Sequence, residues 1–371
     1  MPEGVTTMSN PARIDVDLYS DTVSQPTSDM RHFMCEAPVG DEQKFEDPTV
    51  NQLCEMVAEL LGKEAAVFLP SGTMCNQIAL RVHTRPGEEV IAHHTAHPIN
   101  FEAGGPGALA GVNMRTIDGP RGQFDAAAVE AAVRPSSRYA PRTRLLWVEQ
   151  TSNLGGGSVW SLARIEAVTA VARRHGLATH LDGARLMNAA VASGMPAADY
   201  GREFDTVTLC LSKGLGCPLG AVIAGSQERM ARARRFKHLF GGAMRQAGIV
   251  AASGLHALDH HVERLAEDHA NARRLAEGLA EAGLPVDLEQ VETNFVQLDA
   301  SRLRLTADEA VARLRAEGVL LSFAARKDVL RAVTHLGISA EDVDEAVAGA
   351  VRALRGSHRP IELAGDAPSP Y

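Results

Sequence analysis

Short apolar runs alternate with stripes of helical period along most of this chain. Residues 47–61 carry a helical stripe after a Pro-Thr start, and 67–69 form a brief apolar run that predicts a strand. Residues 89–92, 112–117, 144–149, 176–179 and 204–211 predict further strands. Between them, 124–133 and 162–175 predict helices, the second closed by Gly176. Such alternation predicts a mostly parallel sheet with helices on both faces. From about residue 254 the character changes. Residues 255–282 are rich in Ala, Leu, Glu and Arg and predict one long helix stopped at Gly283. Strands are expected at 294–298, 319–323 and 330–334, and helices at 307–317 and 340–354. That second half reads as a smaller α+β domain. The expected division is a loose tail over 1–12, a large domain over 13–254, a small one over 255–357, and a loose Pro-containing tail over 358–371.

Lys213 changes this picture from fold to chemistry. It ends the apolar run at 204–211 and is followed at once by Gly214, Leu215 and Gly216. A lysine there is costly to bury as an ammonium, so it is paired, neutral or covalently used. A lysine of lowered pKa is the amine that forms Schiff bases with carbonyl compounds and with pyridoxal phosphate. Upstream, Asp182 in His180-Leu181-Asp182-Gly183-Ala184-Arg185 follows another short strand, and the C-terminal ends of strands are where α/β sheets place ligands. An aspartate beside a pyridinium nitrogen keeps that ring an electron sink. Leu69-Pro70-Ser71-Gly72-Thr73-Met74 reads as a strand end, a small-residue turn and a helix start, where backbone N–H groups favour phosphate. Each segment alone is weak; the three in this order point to a pyridoxal 5'-phosphate site.

With these residues in hand, the chain resembles the low-specificity threonine aldolases, within the aromatic amino-acid β-eliminating lyases of the aspartate-aminotransferase fold. Matching stretches run from about 17 to about 355. They include Ser20-Asp21-Thr22, Glu46-Asp47-Pro48-Thr49, Ser71-Gly72-Thr73, Phe101-Glu102-Ala103-Gly104-Gly105, Asp182-Gly183-Ala184-Arg185, Ser212-Lys213-Gly214-Leu215-Gly216 and Gly241-Gly242-Ala243-Met244-Arg245-Gln246. The resemblance implies fold type I of the pyridoxal-phosphate enzymes, with a mostly parallel seven-stranded sheet. It implies an aldolase that cleaves a β-hydroxy-α-amino acid to glycine and an aldehyde through an aldimine on Lys213 and a quinonoid. Asp182 would face the pyridinium nitrogen; Ser71, Gly72 and Thr73 the phosphate; and His97 the ring, as the best candidate base. Arg185, Arg331 and Ser20 would hold the substrate carboxylate. Lys237 and His238 would lie in a basic loop reaching a neighbouring subunit's phosphate, or else form a solvated charge run with Arg232, Arg234 and Arg235. A homodimer or homotetramer with shared sites is implied too.

The substrate side departs from the family pattern. Ser152 stands where a histidine is usual, Tyr19 where an arginine is, and Lys44 where a tyrosine is. These changes keep a second reading open: β-elimination or dehydration, racemisation or transaldol transfer on the same cofactor. Composition adds exclusions. The net charge of −9 argues against nucleic acid as a partner. The first ten residues lack a basic and apolar leader, and no stretch is long and apolar enough to span a membrane, so a cytoplasmic protein is expected. The five cysteines lack paired metal spacing and read as free thiols, with Cys210 and Cys217 as packing residues. No metal is expected.

Overall fold

The computed structural model describes residues 13–354 of the 371; the expected tails at 1–12 and 358–371 lie outside them. Twelve strands follow in chain order: β1 (Val16–Asp17), β2 (Ala65–Leu69), β3 (Glu89–His93), β4 (Asn113–Ile117), β5 (Thr143–Glu149), β6 (Ala178–Gly183), β7 (Thr206–Cys210), β8 (Ala221–Gly225), β9 (Phe295–Asp299), β10 (Val319–Leu320), β11 (Ser322–Phe323) and β12 (Val329–Val333). Seven of them form one sheet in the order β2-β8-β7-β6-β5-β3-β4. Strand β8 runs antiparallel to both neighbours, and every other pairing is parallel. Every residue of β3, β7 and β8 is buried. Burial on both faces explains why these segments read as unbroken apolar runs instead of alternating ones. Helices cover both faces, and each face packs its own core, one around Phe68, Trp160 and Leu209, the other around Ile78, Trp147 and Ile223.

The smaller unit holds the antiparallel sheet β11-β12-β9 and a third core built on Leu275, Leu298, Leu314 and Val343. Val16 and Leu18 pack in that core, and β1 pairs in parallel with β10. The N-terminal arm of the 13–254 segment thus leans on the small unit, which brings Tyr19, Ser20 and Asp21 to the boundary between the two.

Three local expectations are corrected. The stretch 255–282 is not one helix: Gly248–His260 and Leu265–Glu281 are separate. His261 turns out between them, its Nδ1 2.8 Å from the Leu215 carbonyl oxygen. The run at 319–323 divides into β10 and β11, which serve different sheets. Lys237 and His238 sit in the last turn of a helix, Gln227–Leu239, rather than in a loop. No helix among the described residues is long and apolar enough to cross a membrane.

Candidate active site

Strands β5, β6 and β7 are neighbours, and their C-terminal ends deliver Glu149, Asp182 and, just beyond β7, Lys213 to one edge of the sheet. Helix Gly72–His83 meets that edge with its N-terminus. Ser71 caps it, its Oγ accepting the Met74 N–H at 3.2 Å. Gly72 lies close by: a Cβ placed on it would stand 3.7 Å from Cys210 Sγ. Lys213 Nζ donates to that same sulfur at 3.1 Å. The capped helix start, the thiol and the lysine therefore form one contiguous patch.

The same helix carries the link to the aspartate. Asn76 Nδ2 donates to Asp182 Oδ2 and to Glu102 Oε1, both at 2.8 Å. Asp182 Oδ1 accepts the Ala184 N–H at 3.1 Å. Glu102 Oε2 accepts from Gln77 Nε2 at 2.5 Å, and Glu102 Oε1 lies 2.7 Å from His97 Nδ1. One chain of contacts joins Asp182, Asn76, Glu102 and His97. Burial pushes the His97 imidazolium down, but the Glu102 hydrogen bond and the charges of Asp182 and Glu102 push it further up, so it is raised overall.

The carboxylate-binding candidates also converge. Arg185 is almost wholly buried and donates through Nε and Nη2 to Asp21, at 2.6 and 2.7 Å. That pair commits two of Arg185's nitrogens within the protein. Arg331 donates through Nη1 to Asn153 Oδ1 at 2.8 Å and through Nε to Ser322 Oγ at 3.0 Å. The Phe295 ring lies under both guanidiniums, 4.8 Å from the Arg185 carbon and 5.6 Å from that of Arg331. Ser20 is buried next to Asp21, its Oγ accepting the Thr22 N–H at 3.3 Å.

Other expected residues fall elsewhere. Lys237 is buried and donates to Glu42 Oε2 at 2.7 Å and to the Phe68 carbonyl at 2.9 Å, while His238 is exposed. A buried ammonium needs such partners, and Lys237 has them within its own chain. Ser152 is buried against Gly122, where a Cβ would fall 1.9 Å from its Oγ. It lines a small cavity with His93, Thr95 and Glu149. Lys44 and Tyr19 are exposed.

Lys213 itself is not lowered as the sequence suggested. Burial pushes the ammonium down, but the neighbouring Cys210 and Asp21 outweigh it, and the lysine is raised while Cys210 is lowered. Cys210 is thus a partner of the lysine and not a packing residue alone. Sequence reasoning missed Asn76, Glu102, Asp21, Asn153 and Glu149. Asp21 and Glu102 lie in the matching stretches Ser20-Asp21-Thr22 and 101–105, Asn153 lies in a turn, and Asn76 and Glu149 are isolated polar residues of a helix and a strand.

The donor set fits pyridoxal 5'-phosphate. Asp182 is anchored on both oxygens, the Ser71–Thr73 turn opens a helix N-terminus, and Lys213 supplies the amine. Asn76 Oδ1 is buried without a partner among the described residues, so the pocket still has polar capacity to use.

Comparisons with known proteins agree. Residues 17–301 match the family model described as Beta-eliminating lyase. Low-specificity L-threonine aldolase 1 of Arabidopsis thaliana is 42% identical over 334 residues, covering 88% of this chain and 93% of that protein. The low specificity L-threonine aldolase of Escherichia coli K12 is 40% identical, covering 90% of this chain and 97% of that protein. Among solved structures, the Leishmania major threonine aldolase aligns with a TM-score of 0.78 at 20% identity, over 91% of this chain and 99% of that one. A structure of SPT with PLP aligns at 0.68 and 16% identity, over 91% of this chain and 86% of that one. These structural likenesses are of fold. The chain belongs to the beta-eliminating lyase family, alongside the low-specificity L-threonine aldolases.

Proposed function

We propose that this protein is a pyridoxal 5'-phosphate-dependent lyase that cleaves threonine, allo-threonine or a bulkier β-hydroxy-α-amino acid to glycine and an aldehyde. The observation that carries this reading is the convergence on helix Gly72–His83. Gly72 at its start lies beside Cys210, the partner of Lys213, and Asn76 reaches Asp182. Bound pyridoxal 5'-phosphate supplies the electron sink for the carbanion left at Cα when the Cα–Cβ bond breaks.

The protein's own residues supply attachment, orientation and proton handling. Lys213 Nζ is the amine that would hold the cofactor. Asp182 would supply a fixed negative charge to its ring nitrogen. Ser71, Gly72 and Thr73 take the phosphate at the helix N-terminus, with Ser71 Oγ already holding the Met74 N–H. Arg331 and the remaining Nη1 of Arg185 hold the substrate α-carboxylate, with Ser20 beside them. A planar guanidinium suits that contact. His97 would cover the ring. With Nδ1 engaged by Glu102, its Nε2 is the nitrogen left to take the β-hydroxyl proton.

The reading extends to a homodimer or homotetramer in the cytoplasm. Phe101, 53% exposed, lies tilted against His97 with 5.4 Å between ring centres, and a second subunit covering it would bury it. Light scattering on the purified protein tests the assembly. For the reaction, protein loaded with pyridoxal 5'-phosphate is given L-threonine and L-allo-threonine. Equal amounts of glycine and acetaldehyde are expected. Ammonia with a keto acid, or the inverted amino acid, would overturn the reading and favour the alternatives that Ser152, Tyr19 and Lys44 raise.

A further inference from the structure

Glu149 is a buried carboxylate that none of the roles above uses. It ends β5 directly opposite Asp182 in the register with β6. Its Oε2 accepts the backbone N–H of His97 at 2.8 Å, and its Oε1 accepts the backbone N–H of Asn153, also at 2.8 Å. Asn153 passes the restraint on, because its Oδ1 accepts from Arg331 Nη1 at 2.8 Å. We propose that Glu149 is a positioning residue that fixes the distance between the two walls of the site, His97 on one side and Arg331 on the other. The inference rests on the reading of those walls as the ring and carboxylate sides of a pyridoxal-phosphate pocket.

Two physical points favour this role over simple filling. A fully ionised carboxylate accepts both N–H bonds at full strength, and such charge-assisted bonds are shorter and stronger than neutral ones. A buried charge is retained only where such donors repay its desolvation. Here burial and the Asp182 charge push Glu149 up to about 7, against the pull of the Asn153 and His97 N–H groups and the His97 charge. The groups facing it are Asp182 from β6, His97 from its short helix, Arg185 beyond β6 and His93 from β3, which lines the same small cavity. Losing the charge near neutrality weakens both clamps together. Substrate carboxylate binding and ring coverage should therefore fail in parallel as the pH falls.

The test compares the loaded wild type with Glu149→Gln and Asn153→Ala. Glutamine keeps the shape but turns an NH2 toward one of the two backbone amides. Expected for Glu149→Gln are a KM for L-threonine raised roughly tenfold and a kcat lowered by a similar factor, because one of the two bonds is lost and the other loses its charge assistance. Asn153→Ala should raise KM by about tenfold and leave kcat close to the wild-type value. A second readout needs no turnover and no variant: amide hydrogen exchange at residues 97 and 153 in wild-type protein between pH 8 and pH 6, corrected for intrinsic rates. Protection at both positions should fall together while neighbouring strand amides hold. Unchanged protection at both would overturn the proposal, and so would a Glu149→Gln variant with wild-type KM and kcat. The two readings separate cleanly. Wild type that releases glycine while these amides ignore pH sinks the clamp and keeps the lyase. Wild type that releases no glycine while both amides loosen together sinks the lyase and keeps the clamp.

Discussion

Asp21→Asn is the perturbation that tests the electrostatics of the site most directly. Asp21 is fully buried and receives two hydrogen bonds from Arg185, at 2.6 and 2.7 Å, with Asn294 Nδ2 a further 3.4 Å contact. Burial alone would raise its carboxyl. The Arg185 charge and hydrogen bonds outweigh that and bring it down to about 2, from an ordinary 3.8. That gap corresponds to about 2 kcal/mol of stability. A separate route gives a similar figure: breaking a buried ion pair by removing one partner costs about 3–5 kcal/mol, and asparagine, which keeps one acceptor oxygen, belongs at the low end. A loss of about 2–3 kcal/mol is expected.

Urea unfolding of both proteins measures it, at one fixed protein and cofactor concentration because bound ligand and assembly shift apparent stability. The sign in pH is set by the depressed carboxyl. Its contribution is complete above the unfolded value near 4 and is lost as the pH falls through about 2. The difference between wild type and variant should therefore be flat from pH 8 to 5 and shrink below about 4. KM for the amino acid should rise as well, since Arg185 loses the partner that orients it. A variant within about 0.5 kcal/mol of wild type, the range of an ordinary surface change, would refute the reasoning. So would a difference that grows on acidification.

Lys237→Ala strands a buried Glu42, whose remaining partner is the Met244 N–H, and should cost about 3 kcal/mol with cofactor affinity unchanged. Weaker cofactor binding at unchanged stability would instead return Lys237 to the phosphate role that the sequence suggested. Cys210→Ala removes the sulfur that helps to raise Lys213, so at pH 8 the apoprotein should take up pyridoxal 5'-phosphate faster, followed by its visible band; equal or slower uptake would contradict the pairing. Glu102→Gln removes charge that raises His97. The acid limb of the pH–rate profile should move to lower pH, and a limb that stays in place would exclude His97 as the titrating group.

What could be read along the chain was local. Short apolar runs marked six of the seven large-sheet strands, and the Ala340–Leu354 helix shows its stripe plainly. Strand β8 was missed because Ala221–Gly225 is five small or branched residues after a glycine-rich turn, too short to display a period. The helix Gln227–Leu239 was missed because charges spread around it dilute any apolar face. The break at His261 has no local signal, since every flanking residue tolerates helix; it follows from a bond to Leu215, 46 positions away. The site divides the same way. Lys213, Asp182 and the Ser71–Thr73 turn announce themselves in short motifs. Their partners do not, because Asn76 and Asp182 are 106 positions apart, Asp21 and Arg185 164, and Glu42 and Lys237 195. Ser152 shows the limit from the other side. Its replacement of a usual histidine is visible in sequence, but the reason it fits, the bare Gly122 backbone against its hydroxyl, is tertiary.

The charge balance around Arg185 and Arg331 gives a reason why the proposed amino-acid substrate would bind there. Arg185 and Arg331 share the Phe295 ring, yet the one carboxylate bonded to either of them among the described residues is Asp21, and it pairs with Arg185. Arg331 has only neutral partners: the Asn153 amide, the Ser322 hydroxyl and the Tyr19 carbonyl. Burial pushes its guanidinium down to about 10, and the adjacent Arg185 adds to that while Asp21 only partly opposes it. A wall with one buried and one half-buried cation and one anion lacks one negative charge. The α-carboxylate of a substrate would supply it, pairing with a guanidinium that the fold has already partly desolvated. Simple amines, which lack the carboxylate, leave the imbalance in place. They should bind more weakly than the corresponding amino acids by more than the loss of one exposed salt bridge would predict.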